Sequence, residues 1–548
     1  MADTVLPTKR TRRSGPKSSS GCATCKKRRI KCDERLPHCM RCEKFGMECG
    51  GYKKLPSVST APKNVVARPL LPNAKVLCKP PATVSKLFNT DQEFGYFQRF
   101  CMQNVKQLTG LRESEFWTRY VLQASEMEPC VRHAVIAIGA LDFSKKGFGP
   151  GAVKRSQRDS SQISDSELFD ASRLEFACQE YGKAIACLRT TIAKKKLSVR
   201  TSLITSLLFV CFESYHGNSD GASAQIYAGI EVLEQYKKQR QRLSVEPDKI
   251  PPPPIENDIV DMFAMLEVQA TSWGDNRGSG LHLQRMRECE ASIGEFPKEF
   301  KDLGHASRSV FLIALRGIHL RLSQSNEDAL ASGMIRGGIM TLGPLVSGPR
   351  NSELLSVMAM FAGWVAAYQP FLRRATGQDS SKERRNAALM LYSHYLSIHV
   401  WVASGSSDID SYYRCYTKEL REIVELSKDM SYEHQDYFTL DHRIVMPLQV
   451  VAMSYRHRAL RQEIITIFSR LPRREGVWDA SMIVKILQWI STLEEEGLTD
   501  EEYVPEDVFA TLTELKVDAE NNIAFVQCVQ GVRGCPGQTV LKETTVSW

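Results

Sequence analysis

Beyond about Asp91 the chain is patterned for helices. Leu174, Cys178, Tyr181, Ile185, Leu188 and Ile192 recur at intervals of four and three, which places an apolar stripe on one helix face. Lys194, Lys195 and Lys196 close it with cations where the helix dipole favours them. The stripe spans only about three heptads, so it predicts an intramolecular helix pair rather than a dimer seam. Leu203 to Phe212 is apolar all round and predicts a buried central helix too short to cross a bilayer. Asp220 to Leu243 reads as an amphipathic helix with Ile226, Ile230 and Leu233 facing in. A further helix over Glu256 to Ser272 leads into a Gly-rich loop at 273–278. The prolines Pro251 to Pro254, with the polar run before them, make a surface connection between these two helices. Alternation of period two is rare, and helix, tight turn, helix is the recurring order. Residues 89–548 are therefore expected to be one large all-α domain built from antiparallel pairs.

The first ninety residues have no such periodicity. From Gly50 to about Lys86 stand Pro56, Pro62, Pro69, Pro72, Pro80 and Pro81, which predicts a semi-rigid linker over 55–88. Before it lie a cysteine-rich module, 18–54, and an arm, 1–17, whose PTKRTRRSGPK has too few apolar side chains to fold alone. The arm is read as a nuclear localisation signal, a phosphate-tracking tail or both, with a merely solvated tail as the alternative. Residues 1–54 hold 15 Lys and Arg against 5 Asp and Glu, a net of +10, while the 548-residue chain carries +9. The excess positive charge is thus confined to the first tenth, which marks that tenth as the part meeting a polyanion.

Cys22, Cys25, Cys32, Cys39, Cys42 and Cys49 fall in the spacing C-x2-C-x6-C-x6-C-x2-C-x6-C, one ligand unit written twice. A CxxC pair turns two sulfurs toward one ion. Two tetrahedral ions need eight ligand positions, which six thiolates supply only if two sulfurs bridge, so the arithmetic favours a binuclear cluster. A three-disulfide knot is the rival framework. It fits poorly, because the chain opens MADTVLPTKR without an apolar signal region and its other ten cysteines are scattered, many in apolar runs such as LLFVCF.

Between the ligands the sequence turns basic. Lys26, Lys27, Arg28, Arg29 and Lys31 put five cations in six positions on a short helix tied at both ends to metal, a crowding of like charge that an anion relieves. Met40 to Phe45 can form a matching helix that Gly46 stops, with Pro37 fixing the loop between the halves.

The segment CATCKKRRIKCDERLPHCMRC resembles the fungal zinc binuclear-cluster (Zn2Cys6) transcription regulators. The match covers the six cysteines, the basic run, the Asp after the third cysteine and the Pro two residues before the fourth. The resemblance implies two Zn2+ per chain: Cys22 and Cys39 bridge, Cys25 and Cys32 complete one tetrahedron, and Cys42 and Cys49 the other. It also implies that the first helix enters the major groove of double-stranded DNA and that cations beside the third cysteine, here Arg28 and Arg29, read a CGG triplet. Guanidinium forks suit the O6 and N7 acceptors of guanine. Lys26, Lys27 and Lys31 are assigned to phosphate, and Lys53 and Lys54 to the same DNA surface. Many relatives carry a dimer-forming coiled coil after the module. No heptad follows here, so a homodimer and the spacing of half-sites stay open.

More weakly, AVIAIGALD, LLFVCFES and REGVWDASMI are similar to segments of a subfamily whose helical C-terminal domain is regulatory and non-catalytic, with members that often control secondary-metabolite gene clusters. HExxH, a Walker loop and GxGxxG are missing from the sequence, and its histidines are scattered, His394 and His399 on different helix faces. A non-enzyme is expected. Leu493 to Glu520 carries 11 Asp and Glu with a single Lys516, interleaved with Leu498, Tyr503, Val508, Leu512 and Leu515. It reads as the acidic outer face of folded helices, since Leu512 and Leu515 are at helical spacing, with a coactivator-binding activation segment as the alternative. Together these features describe a nuclear, membrane-free regulator of RNA polymerase II genes, an activator acting through the transcription machinery. A repressor and a regulator of primary metabolism are the alternatives.

Overall fold

The computed structural model describes residues 21–52 and, with breaks at 111–113, 146–164, 195–196, 247–249, 276, 324–350, 404–413, 432–436, 472 and 520, residues 87–548. The chain divides into two compact units, 1–76 and 77–548. The arm, Lys53, Lys54 and nearly all of the Pro-rich linker lie outside the described residues.

In the first unit two five-residue helices, α1 (Ala23–Lys27) and α2 (Met40–Lys44), flank a buried nucleus of cysteines, with Ile30, Cys49 and Tyr52 packed around it. The segment is too small for an apolar core. Its interior is sulfur.

The second unit is largely helical, as the periodicity predicts. α3 (Asp91–Arg99) is capped by Thr90, whose Oγ1 accepts from Glu93 N at 3.1 Å, and runs through a π-turn at Phe100–Asn104 into α4 (Val105–Thr109). A second π-turn, Phe116–Tyr120, leads to α5 (Val121–Met127) and then α6 (Pro129–Lys145), which opens on proline where no amide is needed. α7 (Asp165–Ala193), α8 (Val199–His216) and α9 (Ser219–Ser244) follow, and α6 packs on both α7 and α8. Gly139 of α6 is required by contact: a Cβ there would meet Tyr96 O at 2.2 Å, so only glycine lets α3 cross so close.

α8 is buried from Leu203 to Phe212, and Ile226, Ile230 and Leu233 face inward on α9, both as expected. α7 does form an intramolecular pair with α6, but its buried line is Ala177, Glu180 and Ala184. Cys178 of the apolar stripe is exposed and Ile192 is 53% exposed. Small residues at the centre let α6 approach, and Glu180 enters with a partner, His133 Nδ1 at 2.7 Å. The prolines at 251–254 form an irregular connection tied to α9 by Tyr236, whose hydroxyl donates to Pro253 O at 2.8 Å.

α10 (Asn257–Trp273), α11 (Ser279–Ser292) and α12 (Leu303–Leu322) come next, then helices Asn351–Ala375, Lys382–Ala403, Thr417–Ser431, Val445–Ser454, Arg458–Arg470 and Ala480–Glu494. Ser352–Ala375 is the one described helix long and apolar enough to cross a membrane. Its Leu354, Val357, Phe361, Trp364 and Tyr368 are buried in the common core, which accounts for its apolar character.

Two small sheets qualify the all-helical expectation. β1 (Phe438–Thr439) pairs parallel with β2 (Arg474–Glu475), which pairs antiparallel with β3 (Trp478–Asp479). β4 (Ala510–Asp518), β5 (Ile523–Val532) and β6 (Cys535–Ser547) form an antiparallel meander whose Leu512, Ala524, Val526 and Cys528 close one side of the helical core. The acidic segment therefore runs off the last helix, through Val504 and Val508, which are buried, into a strand. Its helical spacing has a β explanation. The register shifts between Leu512 and Glu514, and one inserted residue turns Leu512 and Leu515, three apart, toward the core together.

Candidate zinc centre and nucleic-acid interface

Each half of the first unit is built the same way, with the second seventeen residues after the first. Cys22 and Cys39 cap α1 and α2: their sulfurs accept from the amides of Cys25 at 3.4 Å and Cys42 at 3.3 Å. The sulfurs of Cys32 and Cys49 accept from the amides of Cys22 and Cys39, both at 3.5 Å. Ile30 N donates to Cys25 O at 3.1 Å, and Met47 N to Cys42 O at 3.0 Å. The helix ends on a left-handed residue each time, Arg29 at φ 56° and Gly46 at φ 62°.

This repetition brings the sulfurs together at metal spacing. Cys22 lies 3.6 Å from Cys39 and 3.7 Å from Cys42, and Cys25 lies 3.7 Å from Cys39 and 3.9 Å from Cys42. Tetrahedral zinc with sulfur at about 2.3 Å sets its ligands about 3.8 Å apart, whereas a disulfide needs about 2.05 Å. None of the six forms a disulfide. Cys22, Cys25, Cys39 and Cys42 form one compact set, and Cys32 and the Asp33 carboxylate close on Cys39 from the side.

The protons on these thiols respond to their places. Burial pushes Cys22 and Cys39 up and takes Cys25 to about 12. Burial also acts to raise Cys32, but the amides of Cys22 and Glu34 outweigh it and bring that thiol down to about 7. The amides of Cys39 and Gly51 bring Cys49 to about 6. Six thiols this close ionise together only around cations, which is the condition that binding two dications satisfies. The donor set, its spacing and its doubling fit two zinc ions.

The rest of the module holds these ligands. Asp33 accepts from the amides of Met40 at 3.1 Å and Arg41 at 3.4 Å and so joins the third ligand to the start of α2. Thr24 Oγ1 donates to Glu48 O at 3.1 Å and accepts from Gly50 N at 2.8 Å, pinning the sixth ligand's strand to α1. Tyr52 donates its hydroxyl to Arg35 O at 2.9 Å and lies 3.7 Å from the Cys32 sulfur.

The five cations do not share one helix as expected: α1 carries Lys26 and Lys27, Arg28 caps it, and Arg29 and Lys31 follow in the turn beyond it. Lys26, Lys27, Arg29 and Lys31 are exposed. Arg28 differs: it is half-buried, with its guanidinium 4.8 Å from the centroid of the Phe45 ring. Phe45 was not singled out by the sequence. The seventeen-residue repeat was the signal, since it sets Phe45 opposite Arg28.

A second cluster of metal-type donors lies in the helical unit. Asp275, His282 and His319 are buried together, with the two Nδ1 atoms 3.0 Å apart and Glu267 Oε1 3.3 Å from His319 Nε2. Arginines already hold both carboxylates, Arg277 on Asp275 at 2.7 Å and Arg285 on Glu267 at 2.6 Å. Burial alone would raise Glu267, yet the Arg285 charge and His319 hold it far below the carboxylate range, while burial takes His282 down to about 4. This is a charge-balanced network joining α10, α11 and α12. The Gly-rich loop expected at 273–278 thus spends its arginine on its own aspartate.

Comparison with known proteins agrees with the geometry. Residues 20–58 match the family described as the fungal Zn(2)-Cys(6) binuclear cluster domain. They are such a domain, and it holds a binuclear zinc cluster. Over 269 residues, 46% of this chain and 40% of the relative, the sequence is 27% identical to the aspercryptin biosynthesis cluster-specific transcription regulator atnN of Emericella nidulans. Over 214 residues, 38% of this chain and 48% of the relative, it is 26% identical to the transcription regulator lscL of Purpureocillium lilacinum. A 36-residue stretch, 7% of this chain and 4% of the relative, is 58% identical to the arginine metabolism regulation protein II of Saccharomyces cerevisiae. The matched stretch spans less than half the length of each of these relatives. No solved structure matches the chain.

Proposed function

We propose that this chain is a sequence-specific DNA-binding regulator of RNA polymerase II transcription, acting in the nucleus. Its zinc module reads CGG elements through Arg28 and Arg29, with Lys26, Lys27, Lys31, Lys53 and Lys54 on phosphate. In the cluster, Cys22 and Cys39 bridge, Cys25 and Cys32 complete one ion, and Cys42 and Cys49 the other. The observation that carries the reading is the run of exposed cations, Lys26, Lys27, Arg29 and Lys31, at and just beyond the C-terminal end of α1, between the cluster ligands Cys25 and Cys32. Such a row costs repulsion alone and is compensated by DNA phosphate and guanine. The helical unit supplies control rather than catalysis, and the similarity to a biosynthesis cluster-specific regulator supports control of a secondary-metabolite gene cluster, which we read as activation, as its task.

The test is to delete residues 1–54 and compare transcripts with the full-length strain. Loss of expression from one contiguous biosynthetic cluster with CGG elements in its promoters is the expected result. A rise in those transcripts makes the protein a repressor, and scattered changes in primary metabolism remove the cluster assignment. Restoration of the phenotype by a fragment lacking the module overturns the regulator reading and directs attention to an activity in the helical unit.

A further inference from the structure

Phe45 stands on the second half of the zinc module, at the residue that ends α2, and is 59% exposed. Leu36 and Met47 of the same module are exposed as well, so it is the partner of Phe45 rather than its exposure that sets it apart. Its one described partner in a ring or cation contact is Arg28, the residue that ends α1. The two are equivalents in the seventeen-residue repeat and meet where the helix ends converge.

Arg28 is also unusual among the module's cations. Its Nη1 is enclosed and has no hydrogen-bond partner, no carboxylate pairs with it among the described residues, and Nε and Nη2 are the pair of donors left to face a base. The nearest acid in sequence, Asp33, is engaged by the amides of Met40 and Arg41. A guanidinium laid on a ring keeps its N–H donors in its own plane, directed past the ring, and loses rotamer freedom before any ligand arrives. That is the state in which a bidentate donor binds a guanine edge most cheaply, because the ordering cost is already met.

We propose that Phe45 is a positioning residue for DNA specificity: its ring holds Arg28 ready for a guanine, so a side chain on the second zinc half sets base recognition by the first. The proposal rests on the CGG-reading function above. It makes sequence reading dependent on both halves being folded.

The experiment uses the full-length chain, with binding to a CGG site and to random DNA measured beside zinc content. Phe45→Ala keeps two zinc ions per chain, lowers affinity for the CGG site about tenfold and leaves random-DNA affinity nearly unchanged, since a cation–ring contact of this kind is of that size. Phe45→Tyr restores the preference, because it keeps the ring. In an Arg28→Ala background Phe45→Ala has no further effect. The proposal is overturned if Phe45→Ala weakens both DNAs equally, if it retains the full CGG preference, or if it acts as strongly without Arg28. A wild-type chain with no preference for CGG over random DNA defeats the underlying reading, and is told apart because it fails before any substitution is made.

Discussion

Arg29 and Gly46 occupy the same backbone position in the two halves of the zinc module, both left-handed, at φ 56° and 62°. Glycine takes that conformation freely, whereas an L side chain pays roughly 1 kcal/mol for it. The first half thus keeps a strained arginine where the second half shows that glycine fits. Such strain is expected where a side chain has work to do. Arg29→Gly should leave two zinc ions per chain and make the module slightly harder to strip with chelator. CGG affinity should fall by about 1–3 kcal/mol, with a much smaller loss on random DNA. Parallel chelator competition and DNA titration check this, and an Arg29→Gly chain that still prefers CGG would remove Arg29 from base reading.

The cluster makes a stoichiometric prediction. If Cys22 and Cys39 bridge, Cys22→Ala or Cys39→Ala should release both ions, because neither tetrahedron survives without its shared corner. The compact set of Cys22, Cys25, Cys39 and Cys42 frames the competing outcome, one four-coordinate ion with Cys32 and Cys49 outside it. Metal analysis of the full-length wild type decides between two zinc ions and one.

Acid should loosen the helical unit through His282. Burial lowers this histidine to about 4, against about 6.5 in an unfolded chain, so the folded state holds it neutral. As pH falls below 6.5 the unfolded chain takes up the proton first. Stability is therefore lost between pH 6.5 and 4, at up to about 1.4 kcal/mol per pH unit from this group. His399, also lowered to about 4 by burial, adds in the same direction. Denaturation midpoints at pH 7 and pH 5 measure the slope, and His282→Gln should flatten it. An unchanged slope in that variant would show that His282 is not the group responsible.

The cysteine cluster and its two short helices were legible, because metal ligands at fixed spacing leave the chain few conformations, but the basic run was not, since α1 ends at Lys27 and Arg29 turns left-handed. The helices were legible where a face is buried against neighbours, as at Leu203–Phe212 and at Ile226, Ile230 and Leu233. Two features were not. On α7 the centre of the contact is Ala177, Glu180 and Ala184, since close helix approach selects small residues and a carboxylate with a partner, neither of which registers in an apolar stripe. In β4 the bulge after Leu512 gave a strand the spacing of a helix. Phe45 escaped because a lone aromatic at a helix end says nothing until the repeat sets Arg28 against it.

Glu494 ties this misread region into the fold and yields a stability prediction. It is fully buried where the last helix ends, accepting from Arg461 Nη2 at 2.7 Å, from Arg456 Nε at 3.0 Å and from the amide of Ala510 at 2.8 Å. Removing one partner of such a buried set strands the others. Glu494→Ala should therefore cost about 3–5 kcal/mol, read as a lower denaturation midpoint of the helical unit. Zinc content should be unaffected. A loss below about 1 kcal/mol would show that the arginines find other partners.

The same anchoring bears on whether the acidic stretch 493–520 activates transcription by itself. A free activation segment keeps its apolar side chains in water until a coactivator takes them. Here Val504, Val508 and Leu512 are buried in the fold, Tyr503 shares a 2.8 Å hydrogen bond with Tyr455, and Glu494 and Glu495 bind Arg456, Arg461 and Arg458. Exposing those side chains means breaking the sheet away from the helices. Fused alone to an unrelated DNA-binding domain, residues 493–520 should give no reporter activation. Truncating the full chain before Leu493 should lower its thermal midpoint rather than merely silence it. Strong activation by the isolated segment, together with an unchanged midpoint in the truncated chain, would mean that the stretch leaves the fold in use and that its acids serve a coactivator instead of these arginines.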